Sequence, residues 1–106
     1  MPTERAGRCF QRAVTPAGLR VTGEVDLGSR DIWADALTAL LRDDMPGRLD
    51  LSGLSFVDVQ GAVALMDAAR RKQLTLYRPP PSLRRTLGLF WPGELPGIVI
   101  EEEEAG

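Results

Sequence analysis

Residues 49–71, LDLSGLSFVDVQGAVALMDAARR, constrain the fold more than any other part of the chain. Leu49, Leu51 and Leu54 surround a glycine, which predicts a short inward-facing strand over residues 48–54. Asp58 stands where a helix N-cap belongs, and a segment of helical period follows over residues 59–71. Its expected apolar face is Val59, Ala62, Val63, Met66 and Ala69, with Leu65 at the margin. Arg70, Arg71 and Lys72 close its C-terminal end, where positive charge suits the helix dipole. A helix start of this kind is where a protein displays a modifiable hydroxyl, yet the residues after Asp58 are Val59 and Gln60, which carry none.

The flanking sequence supplies alternating strands and helices. Residues 9–14 read as a strand, residues 15–18 (Thr-Pro-Ala-Gly) as a turn, and Leu19, Val21 and Val25 continue as a second strand. Together these form a β-hairpin. Residues 27–43 form a helix with Ser29 as N-cap, Asp31 in the first turn, and a stripe of Ile32, Trp33, Ala36, Leu37, Leu40 and Leu41. Met-Pro-Gly at 45–47 ends it. Residues 73–78 alternate as a strand, and Pro-Pro-Pro-Ser opens a third helix with Leu83, Leu87 and Phe90 on one face. Trp-Pro-Gly at 91–93 stops that helix, and residues 97–100 form a last strand. The order is β-β-α-β-α-β-α-β, an α/β chain with a mixed sheet and helices packed against it.

Composition narrows the function classes. A length of 106 residues fits one domain and one core. Residues 1–7 form a loose N-terminus, residues 8–100 the domain, and residues 101–106 a solvated acidic tail. The formal net charge of -2 and the sequence pI near 5.1 argue against nucleic-acid binding. With no histidine and Cys9 as the one cysteine, imidazole or thiolate metal sites, Ser-His-Asp triads and disulfides within the chain fall away. No phosphate-cradling glycine loop is present. Glu24 and Asp26 share one face of a strand, but no second cluster supports a catalytic pair. No apolar run approaches the length of a membrane span, and the first residues lack the apolar core of a signal peptide. The expectation is a cytoplasmic, non-enzymatic protein with no cofactor, no metal and no membrane insertion. Trp33 and Trp91 are expected in or beside the core.

Four local patterns, in order, resemble the STAS domain of bacterial anti-sigma factor antagonists. Gly-Glu-Val-Asp at 23–26 resembles the family's Gly-Glu-Ile-Asp at the end of its second strand. Residues 49–58 resemble the strand and loop that run into Asp-Ser-Ser-Gly, with Gly61 matching that glycine and residues 62–71 the following helix. Residues 78–89 resemble the proline-rich entry to the third helix. The resemblance covers roughly residues 10–100. The departures are as informative: the second serine of Asp-Ser-Ser-Gly is the family's phosphate acceptor, and Gln60 stands there. The link after the second helix is short, and the acidic run stands where the family carries a last helix.

The resemblance implies regulation by protein–protein binding. The implied partner is a kinase-like ATPase anti-sigma factor, met through the 26–29 loop, the 55–61 segment and the exposed face of the second helix, with Asp26, Ser29, Ser55, Asp58, Val59, Gln60 and Gly61 as the candidate residues. Phosphate on a serine beside Asp58 would bring a charge of about -1.5 to -2 into that interface. Gln60 takes no phosphate and is neutral, so it is no phosphoserine mimic. Ser52 and Ser55 are nearby hydroxyls that offer an alternative place for modification. Two other roles stay open: an accessory subunit on a lipid-export transport ATPase, and a scaffold in a multi-STAS signalling complex. Self-association also stays open.

Overall fold

The computed structural model describes residues 11–15, 18–90 and 97–102. Cys9, Phe10, Pro16, Trp91 and the last four residues lie outside the described residues, and with them the expected turn and the stop after the third helix. The elements are β1 (Gln11–Thr15), β2 (Gly18–Val25), a 3-10 turn (Leu27–Ser29), α1 (Arg30–Leu40) and β3 (Arg48–Val57). There follow α2 (Val59–Arg71), β4 (Leu74–Tyr77), α3 (Pro81–Phe90) and β5 (Ile98–Glu101). The element order is the one expected from the sequence.

The strands form one sheet in the order β1-β2-β3-β4-β5. β1 and β2 are an antiparallel hairpin, and every later neighbour is parallel. Parallel strands need crossovers, and the three helices provide them. α1 packs on β2 and α2, and α3 packs on β3 and α2, so α2 lies between the other two helices. The core is aliphatic: Leu19, Val21, Leu49, Leu51, Leu65, Leu74, Leu76, Leu83 and Leu87 are all but sealed from solvent. Trp33 joins them, as expected for a core tryptophan.

β3 is longer than the sequence pattern implies. Its inward residues are Leu49, Leu51, Leu54 and Val57, at spacings of two, three and three. The register with β2 explains the gaps. Arg20 faces Asp50 while Thr22 faces Gly53, and Gly23 faces Leu54 while Glu24 faces Phe56. β3 thus spends one extra residue at each of two irregularities, and each bulge shifts the inward phase by one. Alternation on a period of two therefore fails after Leu51, and the sequence pattern carries no sign that the strand runs on to Val57. Gly53 sits in the first irregularity, where an added Cβ would fall 2.7 Å from Thr22 Cγ2.

The helices also turn differently from their expected faces. α2 buries Gly61, Ala62, Leu65, Met66, Ala68 and Ala69, whereas Val59 and Val63 are exposed. Packing between two helices favours small residues at close approach, and the Gly and Ala positions provide that surface. Ile32 on α1 and Phe90 on α3 are likewise outside the core.

Polar side chains finish the elements. Lys72, the one lysine of the sequence, sends Nζ across to the end of α1, where it donates to the carbonyls of Leu40 (2.7 Å), Arg42 (2.9 Å) and Met45 (2.5 Å). It therefore serves the C-terminus of α1, not only that of its own helix. The acidic run is partly held: Glu101 closes β5 and pairs with Arg48 at 3.1 Å, and Glu102 pairs with Arg84. Arg48 in turn lies 4.8 Å from the Tyr77 ring centre.

Candidate protein-binding site

Two capped turns meet where β2 and β3 end. Asp26, extended at the exit of β2, accepts the Gly28 N–H at Oδ1 (3.0 Å) and starts the 3-10 turn. The Asp26 N–H donates to Ser29 Oγ at 3.1 Å, and that hydroxyl donates to the Glu24 carbonyl at 2.8 Å. These bonds form a capping box that locks the turn against the strand it leaves.

Ser29 therefore plays a different part from the expected one. It occupies the N-cap position of α1, but its side chain makes no cap bond to that helix. The hydroxyl is already engaged by Asp26 and Glu24, and the residue is buried at 7% exposure. Of the site candidates it is a support beneath the surface, not a group presented by it.

Asp58 is the second cap. Its backbone is extended, its Oδ1 accepts the Gly61 N–H at 2.7 Å, and its own N–H donates to the Val25 carbonyl at 3.0 Å. The last bond ties the start of α2 to the end of β2. Gly61 fits only because it lacks a side chain: an added Cβ would lie 2.7 Å from Val25 Cγ1 and 3.0 Å from Val57 Cγ1. The Gly61 carbonyl accepts the buried Trp33 Nε1–H at 2.9 Å, which fastens α1 to the same helix start.

Around these caps the surface is more apolar than the sequence reading anticipated. Leu27 is 74% exposed, Val59 57% and Phe56 41%. Leu27 and Phe56 fall inside the two expected stretches, 26–29 and 55–61, but periodicity does not single either of them out as an exposed apolar group. Leu27 lies in a turn, and Phe56 faces out only because of the second irregularity in β3. Gln60 is exposed on the first turn of α2. Ser55 is exposed, but its hydroxyl donates to the Gly23 carbonyl at 3.2 Å. Ser52 donates to Asp50 Oδ1 at 2.7 Å.

Between α1 and α2 lies a groove of about 530 Å³, lined by Asp26, Arg30, Trp33, Asp58, Gln60 and Val63 among others. The structure thus brings Asp26, Asp58, Gln60 and Gly61 to one groove, with Val59 beside them and Ser55 one strand residue from Phe56. Among the described residues no three His, Cys, Asp or Glu side chains converge as metal ligands. No helix among them is long and apolar enough to cross a membrane. The arrangement is a rigid, capped, partly apolar surface with chemistry suited to binding.

Comparison with known proteins follows the same line. A search of curated proteins finds no match. The solved structure of the anti-sigma factor antagonist SpoIIAA in its unphosphorylated form shares the fold, with a TM-score of 0.57 over 92% of this chain and 90% of that one. Sequence identity with it is 18%. The family model described as "Mlab, STAS domain" matches residues 10–91. Four patterns in the sequence, a five-stranded mixed sheet built from elements in the expected chain order and this match agree: the chain belongs to the STAS family.

Proposed function

We propose that this STAS domain is a non-phosphorylatable anti-sigma factor antagonist, which binds a kinase-like ATPase anti-sigma factor and so frees a sigma factor. One observation carries the reading. Gln60 is exposed on the first turn of α2, beside the Asp58 cap and the exposed Val59, and the sequence resemblance aligns it with the family's phosphate acceptor. The position is displayed as a switch residue would be, yet it has no hydroxyl to modify. Control of binding then rests on the amount of either partner, and catalysis has no part in it.

The partner surface in this reading comprises Asp26, Leu27, Phe56, Asp58, Val59 and Gln60, with Ser29, Ser55 and Gly61 fixing the backbone. Interfaces concentrate their energy in a few buried anchors, and Val59 and Leu27, both exposed, provide apolar area for them.

The test is a binding titration of the isolated anti-sigma ATPase domain from the same genome. Wild type is expected to bind, and Val59→Asp to bind at least tenfold more weakly with an unchanged melting profile. Gln60→Ser, incubated with that partner and ATP, is expected to gain one phosphate and release it, while wild type gains none. Wild-type binding that Val59→Asp leaves untouched would overturn the proposed surface.

A second reading draws on the apolar character of that surface. Leu27, Phe56 and Val59 stay exposed in the isolated chain, which suits a permanent neighbour such as a transport ATPase. Co-purification with a transport ATPase, with a change in its hydrolysis rate and no capture of the anti-sigma domain, would favour this role over the first.

A further inference from the structure

A second notch lies on the other flank of β3, and it shares no residue with the surface above. β4 pairs with β3 only at Arg48, Leu49 and Asp50. From Leu51 onward β3 has no strand partner on that side among the described residues. The chain crosses this gap as Pro79, Pro80 and Pro81, which have no N–H to complete a ladder. What remains is a cavity of about 510 Å³, lined by Ser52, Leu54, Arg78, Pro80, Arg84 and Glu102 among others.

The charge in the notch runs against that of the chain. Two arginines, Arg78 and Arg84, line the notch with one carboxylate residue, Glu102, in a protein of net charge -2. Arg84 pairs with Glu102. The Arg78 side chain has no carboxylate partner among the described residues, although its N–H donates to the Glu101 carbonyl at 2.7 Å. Arg78 also holds a φ of 53°, left-handed and uncommon for a residue with a side chain. Such strain persists where the surroundings fix it, and it marks sites more often than plain loops. The N-terminus of α3 opens on the same cavity and adds its positive dipole end.

Glu102 shows what the notch accepts: an oxyanion on Arg84. A single carboxylate leaves one guanidinium unmatched, whereas a dianion matches both, and guanidinium forks suit phosphate oxygens. We infer that the Arg78–Arg84 notch binds a small phosphate or phosphomonoester dianion, and that Glu102 is its tethered internal competitor. The site is then available in proportion to how often Glu102 leaves.

The experiment is a titration of the full chain with inorganic phosphate, read by amide chemical shifts at constant ionic strength maintained with chloride. If Glu102 occupies the site nine-tenths of the time, its removal raises apparent affinity about tenfold. Glu102→Gln is therefore expected to bind phosphate about tenfold more tightly than wild type, with shifts centred on residues 78–84. Adding Arg84→Gln or Arg78→Gln to that variant is expected to abolish the gain, while Arg70→Gln added to it leaves the gain intact. Free phosphoserine is expected to behave as phosphate does. No gain in Glu102→Gln, or a gain that survives Arg84→Gln, overturns the proposal. So does binding to phosphatidate vesicles with no response to phosphate or phosphoserine, which would make the notch a lipid contact.

Discussion

The two ends of the helix layer are built by the same device and finished differently. At one end, Asp26 and Asp58 take up backbone N–H groups that would otherwise lack partners. At the other, Lys72 takes up the carbonyls left over by α1. Both devices satisfy the orphan groups of helix termini. The aspartate end carries Leu27, Phe56 and Val59 in the open, whereas at the lysine end Leu41 and Met45 pack against the core. Caps alone make a stable terminus; caps beneath exposed apolar side chains make a surface held ready for something else. On the proposed reading the difference separates a partner-binding end from a structural one, although each is rich in polar contacts.

The comparison predicts effects of graded size. Gly61→Val is expected to be the most damaging single change, because its side chain would be driven into Val25 and Val57. Overpacking typically costs about 1–3 kcal/mol, and because the Cβ alone already meets both valines at 3.0 Å or less, a cost above about 3 kcal/mol is expected here, with displacement of the helix start that carries Gln60. Urea denaturation should show the lower midpoint. Lys72→Met is expected to cost about 1.5–3 kcal/mol, because carbonyls at the end of α1 lose a charged donor. It should leave partner binding unaltered, and a loss of binding equal to that of Val59→Asp would break the distinction between the ends. Asp58→Ala removes one cap bond, for about 0.5–2 kcal/mol by denaturation. Unlike Lys72→Met, it should weaken binding as well. At the bottom of the scale, Arg42→Ala removes an exposed pair with Asp44 at the lysine end. That pair should contribute no more than about 1 kcal/mol, and less at high salt.

Much of this architecture is legible in the sequence. Helical period marks the three helices, the turn residues before Leu19, Val21 and Val25 mark the hairpin, and Asp58 reads as a cap from its place before an apolar-periodic run. Legibility failed where a local rule yields to a neighbour. Two irregularities in β3 break the alternation that defines a strand on paper, so residues 55–57 looked like loop. Ser29 has the right side chain and position for a helix cap, but the exit of β2 claims its hydroxyl first. Val59 and Val63 fit an apolar stripe, yet α2 buries Gly61, Ala62, Leu65, Met66, Ala68 and Ala69 instead. The site was half visible for the same reason. Its polar residues lie in recognisable patterns, while its exposed apolar residues, Leu27 and Phe56, follow from register and turn geometry alone.

Lys72 carries a consequence for labelling chemistry. It supplies the one side-chain amine in these 106 residues, and that amine is engaged with three carbonyls. An acylating reagent can reach Nζ only after it has swung free of all three. The rate at which such a reagent marks this position therefore follows how often Nζ leaves those carbonyls, at a position where no new amine has to be introduced.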